Sequence, residues 1–120
     1  MDVRNNETNP SANLLDYYPQ HKVDWEENNG VVVLLLPKFT NRFLVRYILP
    51  RLNQKNFKIK LDEFGSWVWK EIDGEKSVLQ IAEGLSKKFG DRVEPVYDRL
   101  GMFIKQLVSR HFITLLKEKG

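Results

Sequence analysis

Lys58-Ile-Lys-Leu-Asp-Glu-Phe-Gly-Ser-Trp-Val-Trp-Lys-Glu-Ile-Asp-Gly74 changes its periodicity once, and the rest of the chain is read from that change. Lys58, Ile59, Lys60 and Leu61 alternate polar and apolar, the period of a half-buried strand. From Phe64 the period becomes helical: Phe64, Trp67, Val68 and Ile72 fall on one apolar stripe. Asp62 is placed to cap this helix, since a carboxylate accepts from a free amide of the first turn. Asp73-Gly74 stops it, because glycine takes the left-handed conformation that a helix end usually needs. The two tryptophans separate. Trp67 lies on the stripe and is assigned to the core. Trp69 is roughly 200° further round the helix. It is assigned to another layer, to an interface or partly to solvent, so Trp67 is expected to be the costlier one to remove.

Beyond Gly74, Ser77-Val-Leu-Gln80 has the spacing of a capping box. Ile81, Ala82, Leu85 and Phe89 give a second helix its buried face, and Gly90 ends it. Pro95 suits the first turn of a third helix, whose apolar face is Val96, Leu100, Phe103, Ile104, Leu107 and Val108. Phe112 to Leu116 reads as a terminal strand, with Lys117 to Gly120 a frayed end. On the other side, Phe57 to Leu61 is the third strand of a sheet. Val23 to Trp25 and Val31 to Leu36 are the first two, joined by a turn at Glu27-Asn-Asn-Gly30. The unbroken apolarity of Val31 to Leu36 predicts burial on both faces. Asn41 to Leu52 carries an apolar face, with Arg42 and Arg46 on another. It reads as a helix over the sheet with a solvated basic side, or as a basic docking surface. Residues 1–20 are expected to be a flexible tail, with Leu14, Leu15, Tyr17 and Tyr18 docking back on the core, and residues 21–120 one domain. The expected fold is α+β and winged-helix-like. Three N-terminal strands and a C-terminal one pack on a three-helix bundle with a helix-turn-helix arrangement.

Leu61-Asp-Glu-Phe-Gly-Ser-Trp-Val-Trp69, Asp73-Gly74, Ser77-Val78, Ile81-Ala82, Lys88-Phe-Gly90 and the helix around Arg99, Phe103 and Leu107 resemble the PqqD-like family, named for pyrroloquinoline quinone biosynthesis protein D. The likeness covers residues 23 to 115. It implies a non-catalytic peptide-binding domain that holds the leader of a precursor peptide and presents its core to a modifying enzyme, such as a radical-SAM maturase, in cofactor or natural-product biosynthesis. The implied leader adds as a strand beside the third strand and rests against the third helix. Carried over to this sequence, Phe57, Lys58, Ile59, Lys60 and Leu61 form the backbone template, and Arg99, Met102, Phe103 and Gln106 part of the groove wall. Lys58 and Lys60 also suit the charges that guard an exposed sheet edge against aggregation.

Composition is consistent with this. Of 120 residues 42% are hydrophobic and 12% aromatic, which argues for a folded chain. The net charge is +3. The absence of cysteine removes disulfides and thiol catalysis, makes a structural zinc site improbable and fits a reducing cytoplasm. The polar Met1 to Pro10 has no signal-peptide core, and Val31 to Leu36 falls far short of the ~20 apolar residues of a membrane span. His21 and His111 lie far apart without a carboxylate at ligand spacing, and Ser66, Ser77 and Ser109 lack a base, so neither catalytic residues nor a cofactor are expected. A winged-helix DNA-binding regulator is the competing reading. Against it, the third helix begins with Glu94, Pro95, Val96, Tyr97 and Asp98, whose carboxylates phosphates would repel. Oligomeric state is open, a homodimer included.

Overall fold

The computed structural model describes residues 14–36 and 57–120. The expectations for Met1 to Ala12 and for Asn41 to Leu52 lie outside the described residues. The elements run β1 (Tyr18–His21), β2 (Asp24–Asn28), β3 (Val31–Leu36), β4 (Phe57–Lys60), α1 (Glu63–Glu71), α2 (Val78–Phe89), a 3-10 turn (Gly90–Val93), α3 (Val96–Ser109) and β5 (Ile113–Leu116). This is the expected α+β domain, with small antiparallel sheets and three helices.

The strands form two sheets. One has the order β2-β3-β4 and the other pairs β1 with β5, all antiparallel. The sequence gives no hint of β1, because a four-residue strand containing Pro19 carries almost no periodic signal. The terminal strand therefore finds a partner outside the N-terminal sheet, with His21 opposite Ile113 and Tyr18 opposite Leu116. The hairpin is also tighter than the sequence predicts. β2 continues to Asn28, which pairs with Val31, and the turn is only Asn29-Gly30. Both turn residues have positive φ, 54° and 84°, as a two-residue hairpin turn demands. The chain end is not wholly frayed, since the Gly120 amide donates to the Gly74 carbonyl at 2.7 Å.

β3 is buried on one face rather than two. Val32 and Leu34 are fully enclosed, while Val31, Val33 and Leu35 are half-buried on the other side. The enclosed face meets α1. There Ser66, itself buried, accepts from the Val32 amide at 2.9 Å and donates to the Leu61 carbonyl at 3.3 Å. Leu61 in turn donates its amide to Val32, extending the ladder one residue past β4.

The caps fall where the sequence puts them. Asp62 accepts from the Gly65 amide at 2.7 Å, and Ser77 and Gln80 complete a reciprocal capping box. The helix phase of α1 needs correcting. Trp69 is 0% exposed, whereas Trp67 is only half-buried over Gly84 of α2. α1 is enclosed on two sides, by α2 and α3 along one stripe and by the strands along the other. The face that a two-layer reading gives to solvent is thus roofed by β1. The Trp69 ring stacks on His21 there, centroids 4.0 Å apart and planes 8° from parallel.

Candidate functional site

β4 is an edge. Among the described residues it pairs with β3 alone, so one row of its amides and carbonyls faces no strand. Phe57 opens it opposite Leu36, and Ile59 sits opposite the buried Leu34. Lys58 and Lys60 are exposed on the opposite face, and Ile59 and Leu61 are half-buried.

Just past β4 the surface opens into a hollow of about 130 Å³. It is lined by Asp62, Phe64, Gly65, Val68, Leu85, Val93, Arg99 and Phe103. Gly65 keeps it open. A β-carbon there would lie 3.3 Å from the Phe103 ring, 3.5 Å from the Leu61 side chain and 3.1 Å from the Asp62 carboxylate. The hollow thus joins the end of β4 to α3 through the first turn of α1.

Its rim is cationic. The Arg99 guanidinium lies over the Phe64 ring at 5.6 Å and donates to the Arg92 carbonyl at 2.9 Å. Arg92 lies over Phe64 and Phe89 at 5.1 and 5.5 Å and pairs with Glu63 at 2.8 Å. Arg99 is therefore held flat by an aromatic face and a carbonyl, with no carboxylate partner among the described residues. A fixed guanidinium in that state can receive an acidic side chain in a two-pronged contact.

Of the residues carried over from the family, the structure brings Arg99 and Phe103 to this hollow, with the Leu61 side chain beside Gly65 at its edge. Gln106 is exposed further along the same face of α3. Met102 does not join them. It is 64% exposed and lines a different groove, with Leu14, Leu15 and Tyr97. Three participants escape the sequence reading. Phe64 is there a member of the core stripe and, with Gly65, of the stretch that carries the family likeness, but neither is given a part in the site, and Arg92 is not singled out. Only their meeting across α1 and α3 gives them a role.

Ser66, Ser77, His21 and Asp73 have structural partners. Ser66 and Ser77 are engaged as described. The His21 Nε2 faces the Trp69 carbonyl at 2.8 Å, so that nitrogen carries the proton and donates. Burial lowers its pKa below 6.5 and outweighs the carbonyl and the Asp73 charge, which act to raise it. Burial alone would raise the Asp73 pKa. The amides of Glu75 and Lys76 and the Lys76 ammonium reverse this and hold it below its ordinary value. Among the described residues no group of three or more His, Asp or Glu side chains is placed to hold a metal ion. No described helix is long and apolar enough to cross a membrane.

Fold and hollow together define a small α+β domain with an open strand edge beside a cationic, aromatic-walled depression. The chain belongs to the PqqD family: the family described as Coenzyme PQQ synthesis protein D (PqqD) matches residues 51–113, more than half of the 120-residue chain. The match includes β4, all three helices and the first residue of β5, and so contains the whole hollow. Searches of curated proteins and of solved structures return no match.

Proposed function

We propose that this protein is a non-catalytic adaptor. It binds the leader of a precursor peptide by strand addition to β4 and presents the core to a modifying enzyme, such as a radical-SAM maturase. The observation that carries this reading is the unpaired side of β4 running into the Phe64–Arg99–Phe103 hollow. Main-chain bonds contribute only about 0.5–1.5 kcal/mol each after exchange with water, so they set register rather than selectivity. Selectivity falls to the hollow, where an apolar leader side chain gains about 25 cal/mol for each Å² it buries. Lys58, Lys60 and Arg99 favour an acidic leader and speed its approach.

The test uses candidate leader peptides drawn from the neighbouring genes, with calorimetry and amide exchange. Binding is expected to protect β4 and α3. Reversing the charge at Lys58 and Lys60 together is expected to weaken an acidic leader several-fold, mainly through slower association, and added salt should narrow the difference. The Leu61 amide donates to Val32, so by antiparallel alternation the Ile59 amide also faces β3 and those of Lys58 and Lys60 face outward. Lys60→Pro removes an outward amide and should block pairing with the leader. A leader that binds tightly while leaving both β4 and α3 unprotected would exclude strand addition at this edge.

A further inference from the structure

Tyr97 and Met102 are the large apolar side chains that stand well out in water among the described residues, 51% and 64% exposed. Both are on α3. Tyr97 is two positions before Arg99, roughly 200° away round the helix, so it faces away from the β4 hollow. With Leu14, Leu15 and Gly101 the two line a groove of about 440 Å³, whose charged lining is Asp98 and Lys105. Tyr97 and Asp98 also border a second, wider hollow of about 670 Å³ between α2 and the start of α3. Its charged lining is Glu83, Glu94 and Asp98 against Lys87. None of the three carboxylates is ion-paired to a described residue. The chain as a whole carries +3, so the acidity is local to this flank.

Exposed apolar side chains bordered by unpaired carboxylates fit one kind of occupant. We propose that this flank of α3 docks a cationic segment of a partner protein, with an apolar side chain seated between Tyr97 and Met102. Lysine or arginine side chains of that segment then meet Glu83, Glu94 and Asp98. Taking the partner to be the modifying enzyme rests on the adaptor reading above; the surface itself does not. An isologous second copy would set the carboxylates against each other, and they would also repel phosphates of nucleic acid or anionic lipid. Because the two hollows of this flank share no lining residue with the Phe64–Arg99–Phe103 hollow, leader and partner can be held at the same time.

Two probes test the proposal on the full chain. The first is a synthetic amphipathic peptide of leucine and arginine, with a leucine–glutamate counterpart as control. Its NMR shifts are expected to cluster at Tyr97, Asp98 and Met102, and the control should leave those signals still. Shifts confined to other surfaces would overturn the assignment. The second is a candidate maturase drawn from the neighbouring genes, titrated by calorimetry alongside the leader. Tyr97→Ser with Met102→Ser, and separately Glu94→Lys with Asp98→Lys, are each expected to weaken the enzyme by about tenfold or more while leaving leader affinity within about twofold. These positions are exposed, so unchanged thermal midpoints verify that the variants fold. Unchanged enzyme affinity in both variants would overturn the proposal, as would a concentration-dependent dimer abolished by the Tyr97 change. Loss of the leader reading with the enzyme contact intact would sink the adaptor function and leave this surface standing.

Discussion

The Trp69 indole is closed in by His21 on one side and the helix core on the other, and its Nε1 has no acceptor among the described residues. An unpaired buried N–H costs about 1–3 kcal/mol, so the ring must return more than that by packing. Trp69→Ala is therefore expected to destabilise the fold by about 3–5 kcal/mol. Trp67→Ala should cost clearly less, because its ring is half in water over Gly84. Trp69→Phe removes the unpaired N–H with part of the ring and should fall well below the alanine value. Denaturant midpoints of the three variants decide the order, and a Trp67→Ala loss equal to that of Trp69→Ala would contradict it. The sequence contains every residue of this cluster, but helix phase alone cannot show that a strand far away in the chain covers Trp69. His21 makes the same contact sensitive to pH. Its pKa is lowered on folding, so just below 6.5 the unfolded chain binds more protons than the folded one. The associated stability is fully present above pH 6.5 and is lost as pH falls from there toward the lowered value. Thermal midpoints should therefore drop as pH falls through 6.5, and His21→Phe should flatten that slope.

The elements differ in how far their causes are local, and legibility in the sequence follows from that. Asp62 above α1 and the Ser77–Gln80 box above α2 act within one turn, so residue type and spacing suffice to find them. Ser77→Ala is expected to cost about 1 kcal/mol, the usual loss of a helix cap. β1 and β5 are another matter, since each exists because the other lies beside it. The connection after α1 belongs to the same arrangement. Gly74 has φ of 81° and donates its amide to the Pro19 carbonyl at 2.9 Å, tying the end of α1 to β1. The sequence identifies Gly74 as a helix stop but not as this tie. Gly74→Ala would force a β-carbon into the left-handed region and against the Gln20 side chain. A loss of about 1–2 kcal/mol from the conformation alone is expected, with more from the collision. A thermal midpoint equal to that of the unaltered protein would show that Gln20 and the turn relax freely.

At the scale of the molecule, charge distribution separates binding modes that the fold leaves open. The N-terminal end of α3 offers Glu94 and Asp98 where a base-reading helix would offer arginine or asparagine. Specific duplex DNA binding is therefore not expected. A mobility shift that keeps site preference at ~200 mM salt would reverse this, since phosphate contacts weaken steeply with salt. The hollow itself was only half legible. The family likeness points to Arg99 and Phe103, which line it, and to Met102, which does not, while Phe64, Gly65 and Arg92 acquire their part only when α1 and α3 meet. The pairing of β1 with β5 has one more consequence, for how the domain yields under load. Inside the outer ties of Leu15 to Leu79, Tyr17 to Val78 and Gly120 to Gly74, both chain ends lead to Tyr18 and Leu116, which face each other at the same end of the ladder. Tension applied to the two ends therefore peels the strands apart pair by pair, from Tyr18–Leu116 to His21–Ile113, instead of shearing them all at once. A tether through both ends would release the lid over Trp69 at low force, well before the three-stranded sheet feels the pull.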